Sequence, residues 1–317
     1  MTIEFLLNKL TVFRINCRRF QPERIIPPYF DFLWSFIRFG CAPDDYYQYE
    51  FYKKSNYERN KFLTWRRCQK IIDSNDKNQK KLLDDKALFN KEFGRFVKRD
   101  WIDLRESCEE DFMSFLQKHK KVIIKPVDGG QGKGVYLLSC NDIGSKDFSF
   151  DSLKNAIAEE VIEQHTELAR FNPSSVNTVR VYTFKGRIIS TALRTGGGNG
   201  IVDNLHSGGV CAHIDEETGI IDCLCRNYNM DEFLIHPVSG VKMIGFQVPN
   251  WKMVLEIAIE ASSLIPSVPY IGWDVAVRQN DVELIEGNCD ADHNLMQMID
   301  QRGRYCIIKD ICKTINV

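Results

Sequence analysis

Metal-type and disulfide-type cysteine spacing is missing from this 317-residue chain. Its 11 cysteines are an odd number, and Cys223, Cys225, Cys289, Cys306 and Cys312 contain no C-x-x-C, which excludes a zinc ribbon or a paired framework. Reduced, mostly buried thiols are expected, as in a cytoplasmic enzyme. An excess of one charge is also missing. Lys plus Arg number 42 against 43 Asp plus Glu, so no global field draws the chain to nucleic acid, and no nucleic-acid partner is expected. Long apolar runs are absent too. The longest, residues 29–39, is broken by Asp31, Ser35 and Arg38 and falls far short of the ~20 residues that span a bilayer. Phe5, Leu6 and Leu7 are too short an apolar run for a secretory leader before Asn8 and Lys9, so the cytoplasm is the expected location.

Further motifs are missing. Ser207-Gly208-Gly209 lacks the G-x-S-x-G of a nucleophile elbow, and His165, His206 and His293 have no metal-ligand spacing. Neither G-x-x-x-x-G-K-[ST] nor G-x-G-x-x-G occurs, which removes the Walker and Rossmann readings.

What the chain has is core-forming material. Hydrophobic residues make up 44% of it, with 20 Phe, 11 Tyr and 5 Trp, enough to offset the ordering entropy of a folded protein. Charge is uneven along it: residues 1–105 hold 22 basic and 14 acidic side chains, leaving 20 and 29 for the rest. The aromatic side chains of residues 29–39 lie beside Arg14, Arg18, Arg19 and Arg24 in sequence. Packing on the protein core is one reading of that segment; peripheral membrane association through the basic N-terminal region is the other.

Residues 1–80 read as a helical region rich in aromatics, among them Tyr46, Tyr47, Tyr49, Phe51 and Tyr52, with a boundary in the polar stretch 73–81. Leu88, Phe89, Phe93, Phe96 and Val97 recur at helical spacing and predict a helix from Asp85 to near Arg99. Ser107 and Glu110 form an S-x-x-E cap for the next helix. Short β-branched runs at 122–124, 135–138, 179–184, 188–193 and 209–214 predict strands, with a turn at Lys185-Gly186. A long helix over 251–264, a hairpin of 272–277 with 282–285, and a C-terminal helix from about Leu295 complete a mixed α and β chain.

Two constellations carry chemistry. The apolar run Val122-Ile123-Ile124 ends in Lys125-Pro126 and passes into a loop containing Gly129, Gly130, Gln131, Gly132, Lys133 and Gly134. Glycines let several backbone N–H groups converge on one anion, and the two lysines neutralise phosphates, so a nucleoside triphosphate is the expected ligand. By itself the segment fits a tight hairpin with a solvent-facing lysine equally well. On the final hairpin Glu286 and Asn288, two apart on a strand, share a face, and Asp274 can lie beside them. Three hard oxygen donors suit Mg2+, which takes few protein oxygens plus substrate phosphates, although exposed acidic strand ends are often only structural.

Together these residues resemble the ATP-grasp superfamily, and most closely its sugar-transfer associated branch, found with surface-polysaccharide genes. The resemblance runs through DKALFNKEF (85–93), KRDWI (98–102), VIIKPVDGGQGKGV (122–135), EEVIEQH (159–165), NPSSVNTVRVYT (172–183), VDNLHSGGV (202–210), GWDV (272–275) and IEGN (285–288). It implies an α+β ATP-grasp fold in which two antiparallel-sheet subdomains, 81–165 and 166–317, grip ATP behind the helical region 1–80. By the same resemblance Lys86 and Lys125 hold the ATP phosphates, and the 129–134 loop is a lid. Glu159, Glu160, Val161 and Ile162 form the adenine hinge, and the segment from Glu163 to His165 reaches toward the ribose. Asp274, Glu286 and Asn288 match the ligands of Mg2+, two ions by resemblance. Arg180 and Arg194 are placed to stabilise the transferred phosphoryl group. D-alanine:D-alanine ligases carry an arginine two residues before the metal aspartate, where this chain has Gly272, so the arginine must come from elsewhere. Asp203, Asn204, Gly208 and Gly209, with His206, form a polar patch assigned to substrate or to a second metal, or else to an Asx-type turn.

The activity implied is a carboxylate–amine ligase that passes through an acyl phosphate, acting on small, sugar-linked or amino-acid substrates in capsule or envelope glycan assembly. A kinase on the same architecture, with Asp203 as base toward a sugar or polyol hydroxyl, is the second expectation. A non-catalytic nucleotide-binding partner of a glycosyltransferase is the third.

Overall fold

The computed structural model describes residues 3–130, 132–143, 149–198, 200 and 208–315. Two antiparallel sheets organise the chain behind its N-terminal helices. The smaller contains β1 (Trp101–Asp103), β2 (Lys121–Pro126), β3 (Tyr136–Ser139) and β4 (Ala156–Glu160) in the order β1-β4-β2-β3. One face of it rests on the helix Glu109–His119 through Phe112, Leu116, Val122 and Ile124.

The larger sheet holds β5 (Thr178–Phe184), β6 (Arg187–Thr195), β7 (Val210–His213), β8 (Cys225–Arg226), β9 (Glu232–Phe233), β10 (Tyr270–Val277) and β11 (Val282–Asn288). Its order is β11-β10-β5-β6-β7-β8-β9. Side chains alternate between its faces, as strand geometry requires. Val179, Val181, Trp273 and Val275 face a core shared with Val254, Ala258 and Ala261 of the helix Trp251–Leu264. Tyr182, Phe184 and Tyr270 face a second core built with Phe13, Phe32, Tyr46 and Tyr49 of the N-terminal helices and with Met296 and Ile308. Arg180 and Asp274 follow the same alternation and share the second face, at the edge of this aromatic packing.

The expected strands and the 251–264 helix are present. Three boundaries differ from expectation. The helix that opens at Lys86 ends at Glu92 and passes through a 3-10 turn at Gly94–Phe96, well before Arg99. The backbone N–H groups of Lys98 and Arg99 both donate to the Glu283 carboxylate at 3.2 Å, and a helix continued through them would have withdrawn those donors. The next helix is capped by Cys108, whose backbone N–H donates to Asp111, because the Ser107 hydroxyl donates instead to the Asp103 carbonyl at 2.7 Å. At the C-terminus one expected helix is two, Leu295–Met298 and Tyr305–Ile315. Between them Gly303 lies so close to the Lys61 backbone that a Cβ would stand 2.4 Å from its carbonyl, and the Tyr305 N–H donates to the same carbonyl at 2.9 Å. That approach bends the chain.

Candidate active site

Antiparallel register assembles the acidic end of the site. Asp274 on β10 lies opposite Glu286 on β11 and opposite Arg180 on β5, so three charged side chains occupy one cross-strand row. Arg180 donates to both Asp274 oxygens, through Nε to Oδ1 and through Nη2 to Oδ2 at 2.9 Å. Arg194 reaches the same carboxylate from β6, with Nη1 3.0 and 2.9 Å from its two oxygens. Burial pushes the Asp274 carboxyl up, but the Arg180 and Arg194 guanidinium groups outweigh it and hold it at about 2. Glu286 has the opposite balance. Burial and the neighbouring Asp274 charge raise it, and the Asn288 amide, donating at 3.1 Å, and the Arg180 charge work the other way without reversing it. Two carboxylates in contact, Asp274 buried and Glu286 half-buried, together with an amide oxygen, form a hard donor set that a divalent cation would satisfy. Asp274, Glu286 and Asn288 therefore fit Mg2+.

Gly272 explains how Arg180 comes to be there. A Cβ at that position would stand 2.9 Å from Arg180 Nη1 and 2.6 Å from the Ala291 Cβ. The absent side chain leaves the volume that the guanidinium uses. Gly272→Ala is expected to destabilise the fold by about 1–3 kcal/mol through overpacking, read as a lower urea midpoint. It should also strengthen the Mg2+-dependent thermal shift with ATP, since displacing Arg180 removes a cation that competes with the metal for Asp274. An alanine variant with unaltered stability and metal response would show that the space is not needed.

The cationic end lies across the same cleft. Asp85 caps the helix Lys86–Glu92 by accepting from the N–H groups of Ala87 and Leu88, which fixes Lys86 at the first helical position. The Lys86 ammonium donates to the Gly129 carbonyl at 2.8 Å, and burial, supported by the nearby Lys125 charge, lowers its pKa. Lys125 on β2 pairs with Glu159 on β4 at 2.5 Å. Glyines 129, 132 and 134 all take positive φ, and a Cβ on Gly134 would strike the Pro126 ring at 2.8 Å, so the loop turns back only because these positions lack side chains.

A cavity of about 430 Å³ joins the two ends. Lys86, Lys125, Gly129, Gly130, Gly132, Lys133, Arg180, Arg194, Asp274, Glu286 and Asn288 all line it. Ile123, Val135, Leu137, Val161 and Ile162 give it an apolar wall, with Glu159 and Glu160 beside them. His165 is not among the lining residues: it caps the helix Thr166–Ala169, where its Nδ1 accepts the Glu167 N–H at 3.1 Å. Gly208 and Gly209 also lie off the cavity, packed so tightly on Gly197 that a Cβ there would overlap the Gly208 carbonyl. Gln131, Asp203, Asn204 and His206 lie outside the described residues.

Sequence reasoning passed over Arg99. Its side chain is only 1% exposed and donates to Glu159 at 2.8 Å and to Glu283 at 3.0 Å, joining β4 of the small sheet to β11 of the large one. Burial pushes the Glu159 carboxyl up, yet Arg99 and then Lys125 hold it well below the usual carboxylate range. The one signal available was its place in the KRDWI segment between two predicted elements.

A family model described as sugar-transfer associated ATP-grasp matches residues 65–313. No curated protein matches the chain. Among solved structures, the ATP-grasp ligase PsnB with minimal precursor, Mg and ADP is similar at 12% identity and a TM-score of 0.47, over 77% of this chain and 62% of that one. D-alanine–D-alanine ligase from Bacillus anthracis is similar at 14% identity and a TM-score of 0.42, over 73% and 66%. The macrocyclase MdnC with precursor peptide MdnA from Microcystis aeruginosa MRC gives 11% identity and a TM-score of 0.43, over 77% and 63%. The chain spans less than two thirds of the length of each of these three proteins.

Proposed function

The chain belongs to the sugar-transfer associated ATP-grasp family, and on that premise we propose that it is an ATP- and Mg2+-dependent carboxylate–amine ligase working through an acyl phosphate. The observation that carries this reading is one cavity with lysines on one wall and the Glu286–Asp274–Arg180 row, joined by Arg194, on the other. In this reading residues 81–165 carry the lid and 166–317 the metal- and substrate-binding part, behind the 1–80 region, and the chain works in the cytoplasm.

A free carboxylate is a poor acyl donor, and converting it to a mixed anhydride with phosphate makes amine attack feasible near neutral pH. Lys86 and Lys125 bind the triphosphate and balance its charge, while the apolar wall of Ile123, Leu137 and Ile162 takes the base. Asp274, Glu286 and Asn288 would hold Mg2+, two ions by family resemblance, which supplies charge neutralisation to the phosphates. Were Asp274 to turn its oxygens to a bound metal, Arg180 and Arg194, which line the same cavity, would orient the substrate carboxylate and the transferred phosphoryl group. The family description and this paired arginine end support an acidic sugar or amino acid of envelope glycan assembly as substrate.

The test is ATP turnover measured across uronic acids and amino acids, with and without amines, in the presence of hydroxylamine. The expected result is ADP formation that requires a carboxylate, with the acyl phosphate captured as a hydroxamate. A phosphorus-containing stable product from a hydroxyl substrate would instead establish the kinase reading and overturn this one.

A further inference from the structure

Among the described residues no helix is long and apolar enough to cross a membrane. One face of the N-terminal region nevertheless exposes an amount of apolar surface that core packing does not explain. Within α1 (Ile3–Phe20) and α2 (Tyr29–Phe39), the residues Phe13, Phe32, Phe36 and Phe39 point inward and are buried. The same α2 turns Phe30, Trp34 and Ile37 outward at i, i+4 and i+7, with Phe30 91% and Ile37 69% exposed. Ile25, 96% exposed, and Ile26 extend this stripe through the turn before the helix. Trp34 extends it sideways: its indole N–H donates to Asn56 at 3.3 Å, next to the exposed Tyr57. Five large exposed side chains and a tyrosine are therefore gathered on and beside α2, rather than scattered singly as on an ordinary surface.

The fringe of the patch is cationic. Arg24 donates to the Ile26 carbonyl at 3.3 Å, Arg38 is exposed on α2, and Lys61 sits 4.4 Å from the Tyr57 ring centre. Arg66 reaches the Ile37 carbonyl at 3.5 Å. The one acidic residue within α2, Asp31, is neutralised by Arg59 at 2.7 Å, Glu58 is engaged as a helix cap with Ser55, and Glu23, exposed beside Arg24, is outnumbered by Arg24, Arg38, Lys61 and Arg66. Aromatic and branched apolar side chains ringed by arginine and lysine match the chemistry of an anionic bilayer surface, where rings enter the headgroup zone and cations meet lipid phosphates. A second copy of the chain is a poorer occupant, because an isologous pairing would set this cationic fringe against itself.

We propose that the patch formed by Ile25, Ile26, Phe30, Trp34, Ile37 and Tyr57 docks the protein on an anionic lipid bilayer. Both readings of the aromatic segment then hold at once: the inner face of α2 packs on the core and the outer face meets lipid.

The experiment is co-sedimentation of the full chain with phosphatidylcholine vesicles and with vesicles containing about 30% phosphatidylglycerol, at low and at high salt. Binding is expected to the anionic vesicles, to fall at least tenfold at high salt, and to be weak on phosphatidylcholine. The double variant I25S/F30S should lose at least tenfold in binding with an unchanged melting temperature, because both side chains are exposed. R24E/R38E should lose the preference for anionic lipid. Failure of the unaltered protein to bind either vesicle, or equal binding by the variants, overturns the proposal. A concentration-dependent dimer that I25S/F30S abolishes would assign the patch to self-association instead.

Discussion

Asp274→Asn is expected to abolish the Mg2+-dependent part of nucleotide binding and to lower turnover by about a thousandfold, which corresponds to about 4 kcal/mol of lost transition-state stabilisation. The same change should destabilise the protein, because Asp274 is the shared counter-ion of Arg180 and Arg194. Two guanidinium groups left around a neutral amide at a buried position cost about 3–5 kcal/mol. Glu286→Gln separates the two effects. Glu286 is raised by burial and by Asp274, so neutralising it relieves repulsion and is expected to leave stability equal or higher. Its metal response should be lost nearly as completely as in Asp274→Asn.

The two carboxylates also pull pH dependence in opposite directions. Asp274, held at about 2, contributes stability that is present above its unfolded pKa and is lost as pH falls toward 2. Glu286, raised in the fold, opposes folding once ionised and ceases to do so as pH falls. Since protons compete with metal for a Glu286 carboxylate whose pKa is raised, the melting-temperature gain from Mg2+ with ATP should be larger at pH 7.5 than at pH 5. Thermal melts of both variants and of the unaltered protein over this range decide the matter. Equal destabilisation by Asp274→Asn and Glu286→Gln would mean that the arginines are not what distinguishes the two carboxylates.

How much of this was legible in the sequence depended on range. The strand 122–125 running into a glycine loop could be read because its causes are local: an apolar run, a lysine and glycines that permit positive φ. The placing of Asp274, Glu286 and Asn288 together followed from the two-residue period of a hairpin, and β10 and β11 pair Asp274 with Glu286 and Gly272 with Asn288. β1 and β4 escaped, since Trp101–Asp103 is too short to show a period and Ala156–Glu160 ends in two glutamates. The capture of Asp274 by Arg180 and Arg194 also escaped, because those partners are 94 and 80 residues away and only the completed sheet aligns them. Gly272 was visible as a departure from the ligase pattern, but its meaning required the position of the Arg180 side chain.

Arg99→Met is the second change with a large expected effect, and it acts on the joint between the sheets. Arg99 satisfies Glu159, 3% exposed, and Glu283, fully buried, and it also donates to the Leu284 carbonyl at 2.8 Å. Methionine fills a similar volume and supplies no charge, so two buried carboxylates lose their main cation. Glu283 is left with Arg278 at 3.3 Å, and Glu159 with Lys125 and the Asn90 amide. The expected cost is about 3–5 kcal/mol, a large part of the 5–15 kcal/mol typical of a folded protein, and the melting temperature should fall by on the order of 10 °C. A functional cost should accompany it. With Arg99 gone, Lys125 becomes the sole cation on Glu159 and is held more firmly by that carboxylate in place of a bound phosphate, so ATP affinity should drop as well. The double variant Arg99→Met/Glu283→Gln tests the assignment, since removing the orphaned charge on β11 should recover much of the stability and none of the ATP affinity, which depends on the Glu159–Lys125 pair. Calorimetric melts and nucleotide titration of the two variants give both readouts. An Arg99→Met protein that melts within a degree or two of the unaltered chain would show that the junction is held by packing around Phe93 and Trp273 rather than by this buried ion network.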